Sequence, residues 1–398
     1  MTDCILALNG GSSSLKFAVY EGGERLDLIV KGQISKLGSA PRLTVKKDGE
    51  TVSNKPLGSE PMALETAARE VFAVLAEHDL LQRIDVVGHR IVHGGRIFTE
   101  PVVVDNAVLE QLDKFVPLAP LHQPYNLDIV AVAAEYLPQA IQVGCFDTAF
   151  HAKRPRLDLL YGLPHALTDD GIVAYGFHGL NYAHVASVLK VRDGDRAGGR
   201  TIVAHLGSGA SLCAMLSGRS MTTTMGFSAL DGLVMSQRCG ALDPGVILHL
   251  LTERNMSPEA ISSLLYEQSG LLGVSGISGD METLLSSADP RAAEAVDLFV
   301  YRIGRSIGSL AAAIGGLDTL VFTAGIGENA PALRARIGAT ARWLGVEIDS
   351  ARNENRQMCI APDGAAVDVL VIVADEERAV AEGALACIGG FERSGKAG

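Results

Sequence analysis

The segment Asn9-Gly10-Gly11-Ser12-Ser13-Ser14-Leu15-Lys16 gathers an amide able to meet a metal, a glycine turn, three hydroxyls and a cation. Glycines let backbone N–H groups approach an anion and hydroxyls add donors, so this chemistry suits the gripping of phosphate. The Gly-Lys-Ser/Thr ending of a Walker A loop is missing. An ordinary Gly/Ser hairpin would read much the same, and Lys16 tips the reading towards an anion. Further on, Cys145-Phe146-Asp147-Thr148-Ala149-Phe150-His151 closes an apolar run with a carboxylate, a hydroxyl and an imidazole. Such groups at the carboxyl end of a strand face the ligand crevice of an open α/β sheet. A plain cap on the next turn is the competing role for Asp147 or Thr148.

Arg238 lies in the turn-rich stretch 235–245, where a planar guanidinium suits carboxylate or phosphate; a surface ion pair with Asp231 or Asp243 is the alternative. His89 and His93, and His178 and His184, have a spacing that raises zinc. With no glutamate between the first pair and no helix to carry them, metal ligation is disfavoured, and the flanking glycines point to loops at a ligand. The run Leu320–Ala324 leads into Gly325-Ile326-Gly327-Glu328-Asn329-Ala330-Pro331, which reads as strand, glycine turn and helix start, a geometry that binds anions. It also satisfies G-x-G-x-x-A with acids further on, so a dinucleotide reading, and with it an NAD-dependent dehydrogenase, stays open.

The elements that must position these groups repeat. Ile5–Leu8, a Gly/Ser turn and Leu15–Tyr20 recur about half a chain later as Ile202–His205, the turn Leu206-Gly207-Ser208-Gly209-Ala210-Ser211 and Leu212–Leu216. Two cradles of this kind would grip a nucleotide's phosphates. Apolar runs at 86–87, 141–143, 202–204, 320–322 and 369–373 alternate with helical patterns at 61–78, 127–136 and 291–314, which is α/β with buried sheets. Strand, tight turn and strand at the start predict an antiparallel hairpin, residues 31–60 read as surface loop and short strands, and a last helix over 376–388 could return to the first half.

At 398 residues the chain exceeds what one core usually supports. The six cysteines are scattered without C-x-x-C spacing, so neither a disulfide framework nor a zinc site is suggested. A net charge of −12 argues against nucleic acid and anionic membrane, so an anionic substrate needs local arginines and backbone donors. No apolar stretch is long enough to span a bilayer and the N-terminus lacks a leader pattern, so a cytoplasmic protein is expected.

Taken together, the chain resembles the acetate kinase family from Ile5 to about Gly383, most specifically through the Asn9–Lys16 and Phe146–His151 segments. The resemblance implies an α/β fold of duplicated ribonuclease-H-like (actin-like ATPase) domains with a nucleotide cleft between them. One domain is expected from 1–149 with 385–398 and the other from 150–384. It implies reversible transfer of the ATP γ-phosphoryl group to acetate in a homodimer, with Mg²⁺ or Mn²⁺. Asp147, His178 and Arg238 would be catalytic, with Arg90 and Arg238 on the acetate carboxylate and the moving phosphoryl group. Val92, Leu121 and Phe177 would line the methyl pocket. Lys16, His205, Leu206, Gly207, Ser208, Gly209, Asp280, Met281, Glu282, Gly325, Ile326, Gly327, Glu328 and Asn329 would contact the nucleotide, and Asn9 and Glu376 would serve the metal.

The chain departs from the family pattern at Gln123, Ser208, Thr222, Ala229, Glu282 and Asp375. Ala229 replaces a proline of the methyl pocket, leaving room for one more methylene, so propionate is the near alternative substrate. An actin-like ATP-binding switch is the remoter one. A carboxylate is already ionised, so the enzyme has little need of a base and must bring anions together and neutralise them.

Overall fold

In the computed structural model, residues 2–11, 14–23, 25–194 and 199–395 are described, so the hydroxyls of Ser12 and Ser13 lie outside the described residues. The chain divides into two compact units, residues 1–152 with 179–184 and 375–398, and residues 153–178 with 185–374. Against an expected division at 149/150 and 384/385, the crossing near the C-terminus falls just before the helix Glu376–Gly395 and leaves that helix whole.

The first unit is built on an eight-stranded sheet. β1 (Cys4–Gly10) and β2 (Ser14–Glu21) form the expected hairpin, with Gly10 opposite Leu15. β3 (Asp27–Ser35), β4 (Arg42–Lys47) and β5 (Glu50–Pro56) extend it as an antiparallel meander. These strands are longer than the surface loop and short strands expected for 31–60. Their alternation, with Val30, Ile34, Leu43 and Val45 inward and charged residues outward, was masked by lysines and glycines. On the other side of β1 lie β6 (Ile84–Ile91), parallel to it, then β8 (Ile141–Phe146), parallel to β6, and the short β7 (Val102–Val103).

The two-residue period of β1 and β2 sorts their side chains into two cores. Leu6, Leu8, Leu15, Phe17 and Val19 pack with the helices Leu64–Glu77 and Gln123–Tyr136. Ile5, Ala7, Ala18 and Tyr20 pack with Ala379, Val380, Ala381, Ala384 and Ile388 of the last helix.

The second unit has five strands in the order β11 (Arg219–Thr223), β10 (Ala210–Leu216), β9 (Arg200–Leu206), β12 (Thr319–Thr323) and β13 (Asp368–Val371). The first three are antiparallel and the last two run parallel to β9 and to each other. That is the arrangement of β3, β2, β1, β6 and β8, so the sequence repeat is a repeat of topology. The helix Pro290–Ile314 buries Ala292, Ala295, Val296, Phe299, Ile303, Ile307, Leu310 and Ile314 at helical spacing, which places one face against this sheet. Its ends are set by Asp289, whose carboxylate accepts from the Arg291 amide, by Pro290 in the first turn and by Gly315 in the left-handed region.

Candidate active site

In the first unit the carboxyl ends of β1, β6 and β8 carry Asn9, Arg90 and Asp147, and the last helix presents Glu376 and Glu377 at its first turn. The Arg90 guanidinium donates to the buried Asp147 carboxylate from Nη2 at 2.6 Å and from Nε at 3.1 and 3.2 Å, a forked pairing. Its Nη1 donates to Asn9 Oδ1 at 3.0 Å. The Asn9 amide nitrogen donates to Glu376 Oε2 and to Glu377 Oε1, each at 2.8 Å, and Glu376 Oε2 also lies 4.0 Å from Arg90 Nε. Burial pushes the Asp147 and Glu377 carboxyls up, opposed at Asp147 by Arg90 and at Glu377 by Lys16.

Close backbone packing holds this network. The Gly179 amide donates to the Asp147 carbonyl at 2.9 Å, and a Cβ on Gly179 would lie 2.1 Å from that oxygen, so only glycine fits there. Asn126 ties the end of β6 to the β1–β2 turn by accepting from the Val92 amide and donating to the Gly10 carbonyl. Val92 is buried two residues beyond Arg90, whereas Leu121 is 39% exposed on the stretch before the helix Gln123–Tyr136. Gln123 is buried and bonds both the amide and the carbonyl of His93. His89 and His93 serve this scaffold: the His89 ring bonds Gln142 Oε1 at 2.8 Å, and His93 Nδ1 accepts from the Gly95 amide.

In the second unit the β9–β10 turn is the organising feature. His178 sits at a left-handed φ of 61°, its ring stacked on His205 with centroids 4.0 Å apart and its Nδ1 2.9 Å from Ser211 Oγ. Phe177, beside it, is buried. Gly209 lies beneath this ring, since a Cβ there would stand 3.2 Å from His178 Nε2 and 4.0 Å from Arg238 Nη1. Arg238 is held by the Ala229 carbonyl at 3.0 Å, and its loop is joined to the turn by the Ser236 amide donating to the Ser208 carbonyl. Arg238 and His178 thus both approach the β9–β10 turn at Gly209. Leu206 is buried, Ser208 is exposed, and a Cβ on Gly207 would lie 3.8 Å from Ala324.

One segment differs from its expected form. The glycine turn at 325–329 is a helical turn, Ala324–Asn329, followed by the helix Pro331–Thr340. Asn329 folds back to donate to the Gly325 carbonyl, Glu328 accepts from the Ala374 amide, Gly327 packs against Phe322, and Ile326 is half-buried. Asp280 caps the helix Met281–Ser286 by accepting from the Thr283 amide, with Met281 buried and Glu282 exposed in the first turn. Ser236 Oγ donates to the Gly279 carbonyl, which brings this segment to the Arg238 loop.

Sequence reasoning missed Arg334. It is wholly buried and donates to the carbonyls of Gly327, Glu328 and Asn353 and to Asn353 Oδ1. It thereby fastens the end of the Ala324–Asn329 turn. An arginine inside a helix reads as a surface residue, and no signal in the sequence marked it otherwise. Glu377 was also missed, overshadowed by its neighbour Glu376.

A model of the acetokinase family matches residues 4–382. Among curated proteins the chain is 49% identical over 392 residues to an acetate kinase of Rhodopseudomonas palustris strain TIE-1, covering 96% of this chain and 97% of that one. It is 44% identical to an acetate kinase of Rhizobium meliloti, covering 97% and 98%. Among solved structures, a propionate kinase from Francisella tularensis aligns with a TM-score of 0.88 at 32% identity over 96% of this chain and 98% of the other. A Porphyromonas gingivalis acetate kinase aligns with 0.85 at 34% over 97% and 100%. Matched from end to end in sequence and in fold, and carrying its chemistry-bearing residues on the strand ends and turns just described, the chain belongs to the acetokinase family.

Proposed function

We propose that this kinase reversibly transfers the γ-phosphoryl group of ATP to acetate, giving acetyl phosphate and ADP. The observation that carries the reading is the forked Arg90–Asp147 pair tied to Asn9 and Glu376, in a chain close to acetate kinases along nearly its whole length. An acetate oxygen forms the new bond to phosphorus, and the bond from the γ-phosphorus to the β,γ-bridging oxygen breaks, leaving ADP with its electron pair. No proton has to be removed from the nucleophile, so the protein's task is positioning and charge neutralisation.

Arg90 and Arg238 hold the acetate carboxylate and the moving phosphoryl group. Asp147, fixed by Arg90, orients that guanidinium. His178, set by Ser211 and His205, donates towards charge that builds on the phosphoryl oxygens. Val92, Leu121 and Phe177 form the apolar wall for the methyl group. Lys16, the turn 205–209 and the segments 280–282 and 325–329 contact the nucleotide.

The donor set also fits Mg²⁺, which prefers hard oxygen ligands and retains several waters. Asn9 offers an amide oxygen, and the partly buried carboxylates of Glu376 and Glu377 meet on its amide nitrogen, a concentration of negative charge that a divalent cation would offset. Glu376 and Asn9 would hold it, and bound there it would screen phosphate charge.

The helix Pro244–Thr252 is rich in valine, isoleucine and leucine yet buries none of its residues. A bare apolar helix of this kind supports a homodimer. No described helix is long and apolar enough to cross a membrane, in keeping with the cytoplasmic reading.

Trapping the acyl phosphate with hydroxylamine tests the reaction, measuring kcat/KM with MgATP for acetate, propionate and butyrate. Highest kcat/KM with acetate is expected. A lead for propionate would leave the chemistry standing and show that Ala229 widens the pocket, and no activity with any of them would sink the proposal.

A further inference from the structure

The outer face of the β2–β3–β4 meander carries lysines where folding alone would avoid them. Lys31 and Lys46 are directly opposed across the β3–β4 pair, an arrangement that costs stability for like charges. Lys16 lies on the same face, opposite Gln33, which in turn opposes Thr44. Among the described residues no ion pair engages Lys16, Lys31 or Lys46. The side chains border a cavity of about 210 Å³ lined by Lys16, Lys31, Gln33, Thr44, Lys46 and Glu377. The Glu377 carboxylate at its edge is already bonded to Asn9.

This concentration of positive charge sits in a chain whose net charge of −12 repels anions on average. We propose that the pocket is a second anion site, adjoining the nucleotide contacts and sharing only Lys16 with them, which takes a chain of linked phosphates such as a free polyphosphate.

Spacing selects the class of ligand. The three lysines come from three adjacent strands whose backbones span about 10 Å across the sheet, two inter-strand steps, a spread that suits a chain of phosphates better than one tetrahedral ion. Gln33 and Thr44 add neutral donors between the charges. An anion bound there offsets the Lys31–Lys46 repulsion. The site rests on the proposed function only in sharing Lys16 with the nucleotide contacts, and its test is a binding measurement.

Tripolyphosphate is titrated calorimetrically into the full chain with ADP saturating. One binding event is expected. It should weaken at least ten-fold in Lys31→Gln/Lys46→Gln and should exceed orthophosphate affinity at least ten-fold. The same double variant should melt no lower than the parent without anion, because it loses a repulsion, and should keep its kcat with MgATP and acetate. Equal affinity in parent and variant would overturn the site, as would binding abolished by ADP or orthophosphate bound as tightly. Inactivity with acetate would count against the proposed reaction and leave this result standing.

Discussion

Replacing Arg90 with leucine removes every partner of Asp147 contributed by the guanidinium and leaves a shorter apolar side chain in its place. Asp147 is 1% exposed and receives three N–H contacts at 3.2 Å or less from Arg90. Stranding a buried charge in this way costs about 3–5 kcal/mol. Arg90 acts to lower the Asp147 carboxyl and burial acts to raise it, so without the arginine the carboxyl rises further. A group whose pKa is raised on folding stabilises the fold below its unfolded value and loses that contribution as pH rises. The penalty of Arg90→Leu should therefore be small near pH 4 and grow towards neutrality. Adding Asp147→Asn should recover at least about 1 kcal/mol at pH 7, because a neutral amide costs less to bury unpaired than a carboxylate. Urea unfolding of parent, both single variants and the double variant, at several pH values, gives the coupling energy directly. A penalty below about 1 kcal/mol that is independent of pH and additive with Asp147→Asn would refute the reasoning.

Arg238→Ala, in a variant with native circular dichroism, should lower kcat by roughly 10²–10⁵ if the guanidinium meets transition-state charge; an unchanged kcat would return it to a structural role on the Ala229 carbonyl. Glu376→Ala should lower activity in a way that raised Mg²⁺ partly restores, and an unaltered Mg²⁺ dependence would contradict its metal role. His89 donates from Nε2 to Gln142 Oε1, the acceptor fixed by the Gln142 amide nitrogen bonding the Ala140 carbonyl. Burial lowers its pKa to about 4. Its neutral form favours the fold above about pH 6.5, and that contribution is lost as pH falls from there to about 4. His89→Gln should flatten this acid limb by up to about 1.4 kcal/mol per pH unit, read from denaturant midpoints, and an unchanged slope would exclude His89 from it.

Much of the architecture was written locally. The hairpin at Ile5–Tyr20 and its copy at Ile202–Leu216 each announce themselves by apolar runs around glycines, because a tight turn needs residues free of Cβ constraints. The helix Pro290–Ile314 carries its own start, stop and face, and lies within a residue of where the pattern put it. Residues 31–60 read as surface loop and short strands, and the full length of the meander strands is hidden because their exposed face is charged and polar. The helical turn Ala324–Asn329 was missed because its glycines suggest a loop, while Arg334 of the following helix satisfies its carbonyls.

The sequence by itself determined the α/β class, the internal duplication and the family, since these rest on periodicity, turn chemistry and motif order, all properties of neighbouring residues. It named Asn9, Arg90, Asp147 and Glu376 separately. Only the tertiary structure decided that these four, scattered from one end of the chain to the other, share one hydrogen-bonded network at the ends of β1, β6 and β8. Nor does any local pattern report that Gly179 must lack a side chain to reach the Asp147 carbonyl, or that a side chain on Gly209 would crowd His178. Such contacts depend on how sheet order and helix packing bring distant backbone together. Two residues touch because of the strands that carry them, and their own types carry no record of it.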